Sequence, residues 1–171
     1  MELFLLFRNP ILGLLAGALL MAALTACVYL YVQQKPALTA EAARDAAFEA
    51  DYGQMRNSLE ELKAIGEPEL YYQTLLSCAS LADYHGEQAL ALELLALPET
   101  DGTEAYAGFA QEAEAQQAVY TYHQALALYE SGDYARAART AAQARQYEPA
   151  AALYEMAQRA YPASLPTPTP S

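Results

Sequence analysis

The chain has 171 residues, enough for one domain with a sizeable core, and more than half of them are hydrophobic. Ala and Leu dominate, Trp is absent and β-branched residues are few, a balance that favours helices. A formal net charge of −12 argues against nucleic acid, whose phosphates such a surface would repel, and two cysteines are too few for a disulfide framework.

The first element is an apolar run. Pro10–Val32 holds 23 residues without a charge, and as a helix it would be about 35 Å long, enough to cross a hydrocarbon core of about 30 Å. Phe4 and Phe7 lie at one end and Tyr29 and Tyr31 at the other, where interfacial aromatics belong, and Arg8 and Lys35 bracket the run. Residues 1–35 are therefore expected to be a single-pass anchor. Leu24-Thr25-Ala26-Cys27 also resembles a bacterial lipobox, so a lipoprotein lipidated at Cys27 is the alternative. Against it, the run stays apolar past Cys27, and the segment before Arg8 is apolar rather than basic. Gly13 and Gly17 form a small-xxx-small pair that would allow helix–helix association in a bilayer. The positive-inside count is nearly tied. A short N-terminal tail usually stays in the cytoplasm, which places the larger domain outside the cell membrane.

After a polar exit over Gln33–Leu38, residues 36–161 read as one all-α domain. Gly-containing breaks recur at Gly53, Gly86 and Gly132, 33 and 46 residues apart. The longer spacing includes Leu97–Glu104, a loop signal able to hold an insertion. Seven residues before each glycine stand Ala46, Ala79 and Ala125; five after stand Ser58, Ala91 and Ala137; nine after stand Leu62, Leu95 and Ala141. Small residues at fixed places on two helices let the pair pack closely, and the glycine permits the positive φ that ends the first. The expected pairs are about 39–51 with 53–65, 67–84 with 86–97, and 104–130 with 132–146, closed by a capping helix at about 149–160. Gly66 before Pro68, and Glu148 before Pro149, supply stop and start signals. The Pro/Thr-rich end, 162–171, reads as a disordered tail.

This pattern resembles the tetratricopeptide repeat (TPR), a 34-residue helix–turn–helix unit. Copy three carries the resemblance, with Ala125, Gly132-Asp133-Tyr134, Ala137, Ala144 and Pro149; copies one and two are degenerate, with Pro98 and an early Pro68 out of pattern. The resemblance covers about Thr39–Tyr161 and implies an α-solenoid of about three repeats with first helices lining a concave face. Aligned on the glycines, the first-helix residues near that face are Arg44, Asp51, Gln73, Ser80, Asp83, Tyr84, Tyr122, Leu126 and Tyr129, with Glu130 beside them; Asp83, Tyr84, Tyr122, Leu126, Tyr129 and Glu130 are the candidate partner-binding residues. Tyrosine suits such a surface because its ring buries area while its hydroxyl keeps a hydrogen bond. The carboxylate-gripping Lys, Arg and Asn of the family's chaperone-tail binders are missing here apart from Arg44, so that activity is not implied.

From Ala64 to Ala135 there is no Lys or Arg against twelve Asp and Glu, which favours a basic or aromatic protein or peptide partner. No nucleophile elbow, P-loop, GxGxxG or His-Glu-x-x-His is present. Asp83-x-His85-x-Glu87 straddles a helix break and lacks a second nearby histidine, so it reads as a solvated turn, not a metal site. The expectation is a membrane-tethered scaffold with no enzymatic activity, cofactor or metal, serving by analogy a bacterial envelope assembly or secretion machine. A lipoprotein holding a small ligand or cell-wall fragment is the alternative.

Overall fold

The computed structural model describes residues 10–96, 98 and 102–163, and every element among them is helical. In chain order they are α1 (Pro10–Phe48), α2 (Tyr52–Ile65), α3 (Pro68–Tyr84), α4 (Gln88–Ala96), α5 (Glu104–Glu130), α6 (Tyr134–Ala141), a 3₁₀ turn (Ala142–Ala144) and α7 (Glu148–Ala163). Phe4, Phe7 and Arg8, residues 97 and 99–101 of the Leu97–Glu104 loop, and the tail from 164 onward lie outside the described residues.

The predicted polar exit is not an exit. Helix α1 runs unbroken through Gln33–Leu38, with Pro36 inside it. Proline leaves the carbonyl four residues back without its amide partner, an interruption that normally costs about 3 kcal/mol. Local contacts hold the helix across it. The Lys35 ammonium pairs with Glu61 of α2 at 2.9 Å, and the Thr39 hydroxyl donates to the Lys35 carbonyl at 2.9 Å. One turn on, Ala40, Ala43, Ala46 and Ala47 are buried as a helical stripe. The Glu61 contact raises the Lys35 pKa. By contrast the residues from Leu14 to Val32 are all exposed. This stretch is long and apolar enough to cross a membrane, a property that a signal sequence near the N-terminus shares.

Three chain reversals share one hydrogen-bond pattern. At the end of α1 the Ala50 amide donates to the Ala47 carbonyl and the Asp51 amide to Ala46. At the end of α3, Gly86 donates to Asp83 and Glu87 to Ala82; at the end of α5, Gly132 donates to Tyr129 and Asp133 to Leu128. The first residue of each pair is left-handed, with φ of 58° at Ala50, 82° at Gly86 and 85° at Gly132. The next residue starts the following helix: Asp51, Glu87 and Asp133 each accept from the amide four residues on, and the carboxylates of Asp51 and Asp133 also cap Gln54 and Arg136.

This corrects the register read from the glycines. Gly53 lies inside the first turn of α2, so the equivalent of Gly86 and Gly132 is Ala50. Counted from the left-handed residues, Ala43, Ala79 and Ala125 stand seven before, Met55, Ala91 and Ala137 five after, and Leu59, Leu95 and Ala141 nine after. All nine are at most 5% exposed. In the glycine register Ser58 would have filled one of these places, and it is only half-buried.

Packing follows from these small contacts. Helix α1 packs on α2 and α3, α3 on α4 and α5, and α5 on α4, α6 and α7. The C-terminal part of α1 runs parallel to α3, since Cys78 Sγ meets the Ala43 carbonyl at 3.7 Å and His85 Nε2 meets the Phe48 carbonyl at 3.0 Å. Helix α3 in turn runs parallel to α5, with Tyr72 stacked on Phe109 at 5.0 Å and Asp83 bonded to His123. Arg56 of α2 holds Glu93 of α4 by two bonds of 2.9 and 3.0 Å, which raises the arginine pKa and lowers that of the carboxyl. One large core cluster spans α1 to the middle of α5, and two smaller ones join α5 to α6 and α7.

The shared turn makes opposite predictions for two similar changes. A Cβ on Gly132 would meet no atom within 4 Å, so Gly132→Ala carries a purely conformational cost of about 1 kcal/mol. Ala50→Gly should stabilise, by about 0.5 kcal/mol, because Ala50 already holds a left-handed conformation that glycine adopts without strain. Denaturant titration of the two variants checks both signs; destabilisation by Ala50→Gly comparable to that of Gly132→Ala would contradict the shared turn.

Cys78 gives a second test. Burial pushes its thiol up to about 11 from an ordinary 9.0. In a Cys27→Ser background, alkylation at pH 8 should be slow while the chain is folded and become complete on unfolding. Because the folded value is the higher one, Cys78's contribution to stability is constant below pH 9 and is lost as pH rises toward 11. A Cys78→Ala variant should lack that alkaline component of the stability profile.

Candidate binding groove

Parallel packing of α3 against α5 leaves a depression along their exposed side. On α3 it is lined by Glu69, Gln73, Leu76 and Ser80, and on α5 by Ala105, Gly108, Glu112 and Gln116. Each set repeats at helical spacing, so one stripe of each helix faces the same channel. Two adjoining hollows of about 530 and 590 Å³ share Gln73, Leu76 and Glu112 and together form the groove. The Tyr72–Phe109 stack forms part of its wall and, with Tyr106 edge-on at 5.8 Å from Tyr72, fixes the two helices against each other. Gly108 keeps the channel open on the α5 side, where a Cβ would point into free space.

Chemically the groove is an apolar strip with acidic borders. Leu76 shares its lining with Glu69, Glu104 and Glu112, and none of the lining residues is Lys or Arg. The amides of Gln73 and Gln116 donate to Glu69 at 3.4 Å and to Glu112 at 3.3 Å, each within its own helix. Among the described residues none of the three glutamates has a cationic partner. A cationic group entering the groove would therefore find carboxylates that it need not take from another ion pair.

Beyond Ser80 a polar network continues the α3–α5 seam. Tyr120 donates to Gln116 Oε1 at 3.0 Å, and burial raises its pKa against the opposing effect of a Ser80 hydrogen bond. One turn further His123 Nδ1 meets Asp83 Oδ2 at 2.8 Å, while the other carboxylate oxygen of Asp83 is buried without a partner. The contact fastens the C-terminal end of α3 to α5.

Of the residues expected to share a concave face, Tyr122, Leu126 and Tyr129 pack against one cluster on the seam with α6 and α7. Asp83 is taken up by His123. Tyr84 stands out from the end of α3 and touches His85 edge-on. Tyr122 is half-buried against Tyr147, Leu126 packs with Ala125, Ala141 and Leu153, and Tyr129 packs edge-on against Tyr134 at 5.1 Å. Glu130 is exposed at the end of α5. The three tyrosines Tyr84, Tyr122 and Tyr129 thus have separate ring partners, and two of them serve the seam with α6 and α7. Of the wider set of first-helix residues, Gln73 and Ser80 do line the groove. The i, i+4, i+7, i+11 spacing of Glu69, Gln73, Leu76 and Ser80 was the available signal.

The remaining candidates also resolve into separate contacts. Asp83, His85 and Glu87 do not converge, since Asp83 turns to α5 and His85 to the Phe48 carbonyl. Among the described residues no three His, Cys, Asp or Glu side chains gather as a metal site would require. Cys27 is a free, exposed thiol within the unbroken α1, and Gly17 faces open space on the same helix. No protein-family model, curated protein or solved structure matches this chain.

Proposed function

We propose that this protein is a membrane-tethered scaffold, a short α-solenoid of three TPR-like units closed by α7, which holds a protein or peptide segment in the groove between α3 and α5. The observation that carries the reading is the recurrence of one turn at Ala50, Gly86 and Gly132 with the same nine small or apolar positions buried around it. Units of that kind stack their first helices side by side, and a stack of parallel helices leaves grooves along its inner face. The α3–α5 groove supplies apolar surface for affinity and glutamates for selection of a basic segment. The proposed role is binding rather than chemistry.

The tether is the exposed apolar part of α1. As a bilayer span it would be continuous with the first helix of the domain, which would fix the domain's tilt through the Lys35–Glu61 pair instead of leaving it on a flexible leash. The proposed orientation places the domain on the outer side of the cell membrane.

Two measurements test this reading. The full chain should stay with membranes in about 1 M salt, because burial of an apolar span does not respond to charge screening. A segment beginning at Lys35 should be soluble and helical, and release of the full chain by salt alone would refute the span. For the groove, a photo-crosslinking residue at Gln73 or Gln116 should trap one common product in native membranes, and the same residue at Glu60 on α2 should not. A product formed only from Glu60 would place the working surface elsewhere.

A further inference from the structure

The corrected register brings together two aromatic residues that are distant in sequence. Phe48 and Tyr84 occupy equivalent places, each two residues before the left-handed residue of its turn. The two turns lie side by side, because His85 Nε2 meets the Phe48 carbonyl at 3.0 Å and Tyr84 packs edge-on against the His85 ring at 5.5 Å. Glu87 of the second turn lies close enough to Tyr52 of the first to act on its hydroxyl electrostatically.

Phe48 is 66% exposed and Tyr84 81%, more than any other large hydrophobic side chain described beyond Val32. Single exposed apolar residues are ordinary, but two at equivalent positions of adjoining turns make a patch. Around it Asp45, Glu49, Asp51 and Glu87 are all exposed. Among the described residues none of these carboxylates is paired with Lys or Arg. Two arginines of the adjoining helices are engaged elsewhere, Arg44 with Thr74 at 3.3 Å and Arg56 with Glu93.

Charge and position select the occupant. On the tethered reading, a bilayer ending at Val32 lies about 24 Å along α1 from Phe48, beyond the reach of a headgroup layer some 5–8 Å deep. A second copy of the same edge would bring four carboxylates against four. An arginine or lysine side chain meets both features of the patch, since it stacks on an aromatic face and pairs with the surrounding carboxylates. We propose that the Phe48–Tyr84 edge is a second docking surface, separate from the α3–α5 groove, which takes a basic segment of a partner protein by stacking its cationic side chains on the two rings.

The test uses the full chain in lipid nanodiscs and a fluorescent peptide of alternating arginine and leucine, with a citrulline-for-arginine peptide as the neutral control. Binding should saturate, disappear with the citrulline peptide and weaken about tenfold or more in the double variant Phe48→Ser, Tyr84→Ser, whose exposed positions leave the core intact. The loss in this aromatic variant should exceed the loss in the double variant Glu69→Gln, Glu112→Gln, which alters the groove and not the edge. The proposal is overturned if the unaltered chain does not bind, if the aromatic variant binds as well as it does, or if the groove variant carries the loss. The last result would assign the basic segment to the groove and leave the scaffold reading standing.

Discussion

Three reversals of this chain, at the ends of α1, α3 and α5, are each closed by one backbone amide that reaches back five residues to a carbonyl of the helix it ends. A helix terminus leaves several carbonyls without partners, and these must be satisfied before the next helix can pack against the last. Asp51, Glu87 and Asp133 supply that amide, and the residue before each turns left-handed to aim it. Once the turn is set, alanines seven residues earlier and small or apolar residues five and nine later meet inside the hairpin. The close approach of helix pairs, the parallel course of α1, α3 and α5, and the groove between the last two all depend on this geometry.

The continuity of α1 changes how the two parts of the molecule relate. A linker at Gln33–Leu38 would let a domain swivel on its anchor, whereas a helix stitched across Pro36 by Lys35–Glu61 and Thr39–Lys35 transmits orientation. In the proposed tethered arrangement, the apolar half of α1 sets where the domain sits and the alanine-rich half sets which way its surfaces face. The groove and the Phe48–Tyr84 edge then point in fixed directions. That is useful to a scaffold, because a partner held in a defined orientation loses less freedom on assembly than one held on a flexible tether.

Much of the architecture was legible in the chain because its signals are local. Alanine and leucine content, the Gly66–Pro68 stop and start, and the Gly132-Asp133-Tyr134 turn each act through neighbouring residues, and the helices formed close to the expected places. The errors came where a rarer local solution competes with the usual one. Ala50 takes the left-handed place that glycine normally fills, so Gly53, three residues on, drew the register to itself. The recurring Asp-Tyr of Asp51-Tyr52 and Asp133-Tyr134 marks the true alignment, because the aspartate is the cap and the tyrosine opens the helix. Gln33–Leu38 read as an exit because it is polar, whereas the contacts of Lys35, Thr39 and Ala43 hold the helix through it. The tyrosines were the least legible. Whether a ring lines a groove or fills a seam depends on the rotation of each helix about its neighbour, and Tyr122 and Tyr129 turned toward α6 and α7.

The shared turn can be observed directly, without perturbing it. Through-hydrogen-bond scalar couplings, measured by NMR on isotope-labelled protein, should connect the Asp51 amide to the Ala46 carbonyl, Glu87 to Ala82 and Asp133 to Leu128. Backbone couplings in the same spectra should report a positive φ at Ala50 and a helical value at Gly53. Three couplings of similar size with a left-handed Ala50 would establish that one device closes all three hairpins. A left-handed Gly53, or an Asp51 amide coupled to any other carbonyl, would contradict the account at its foundation.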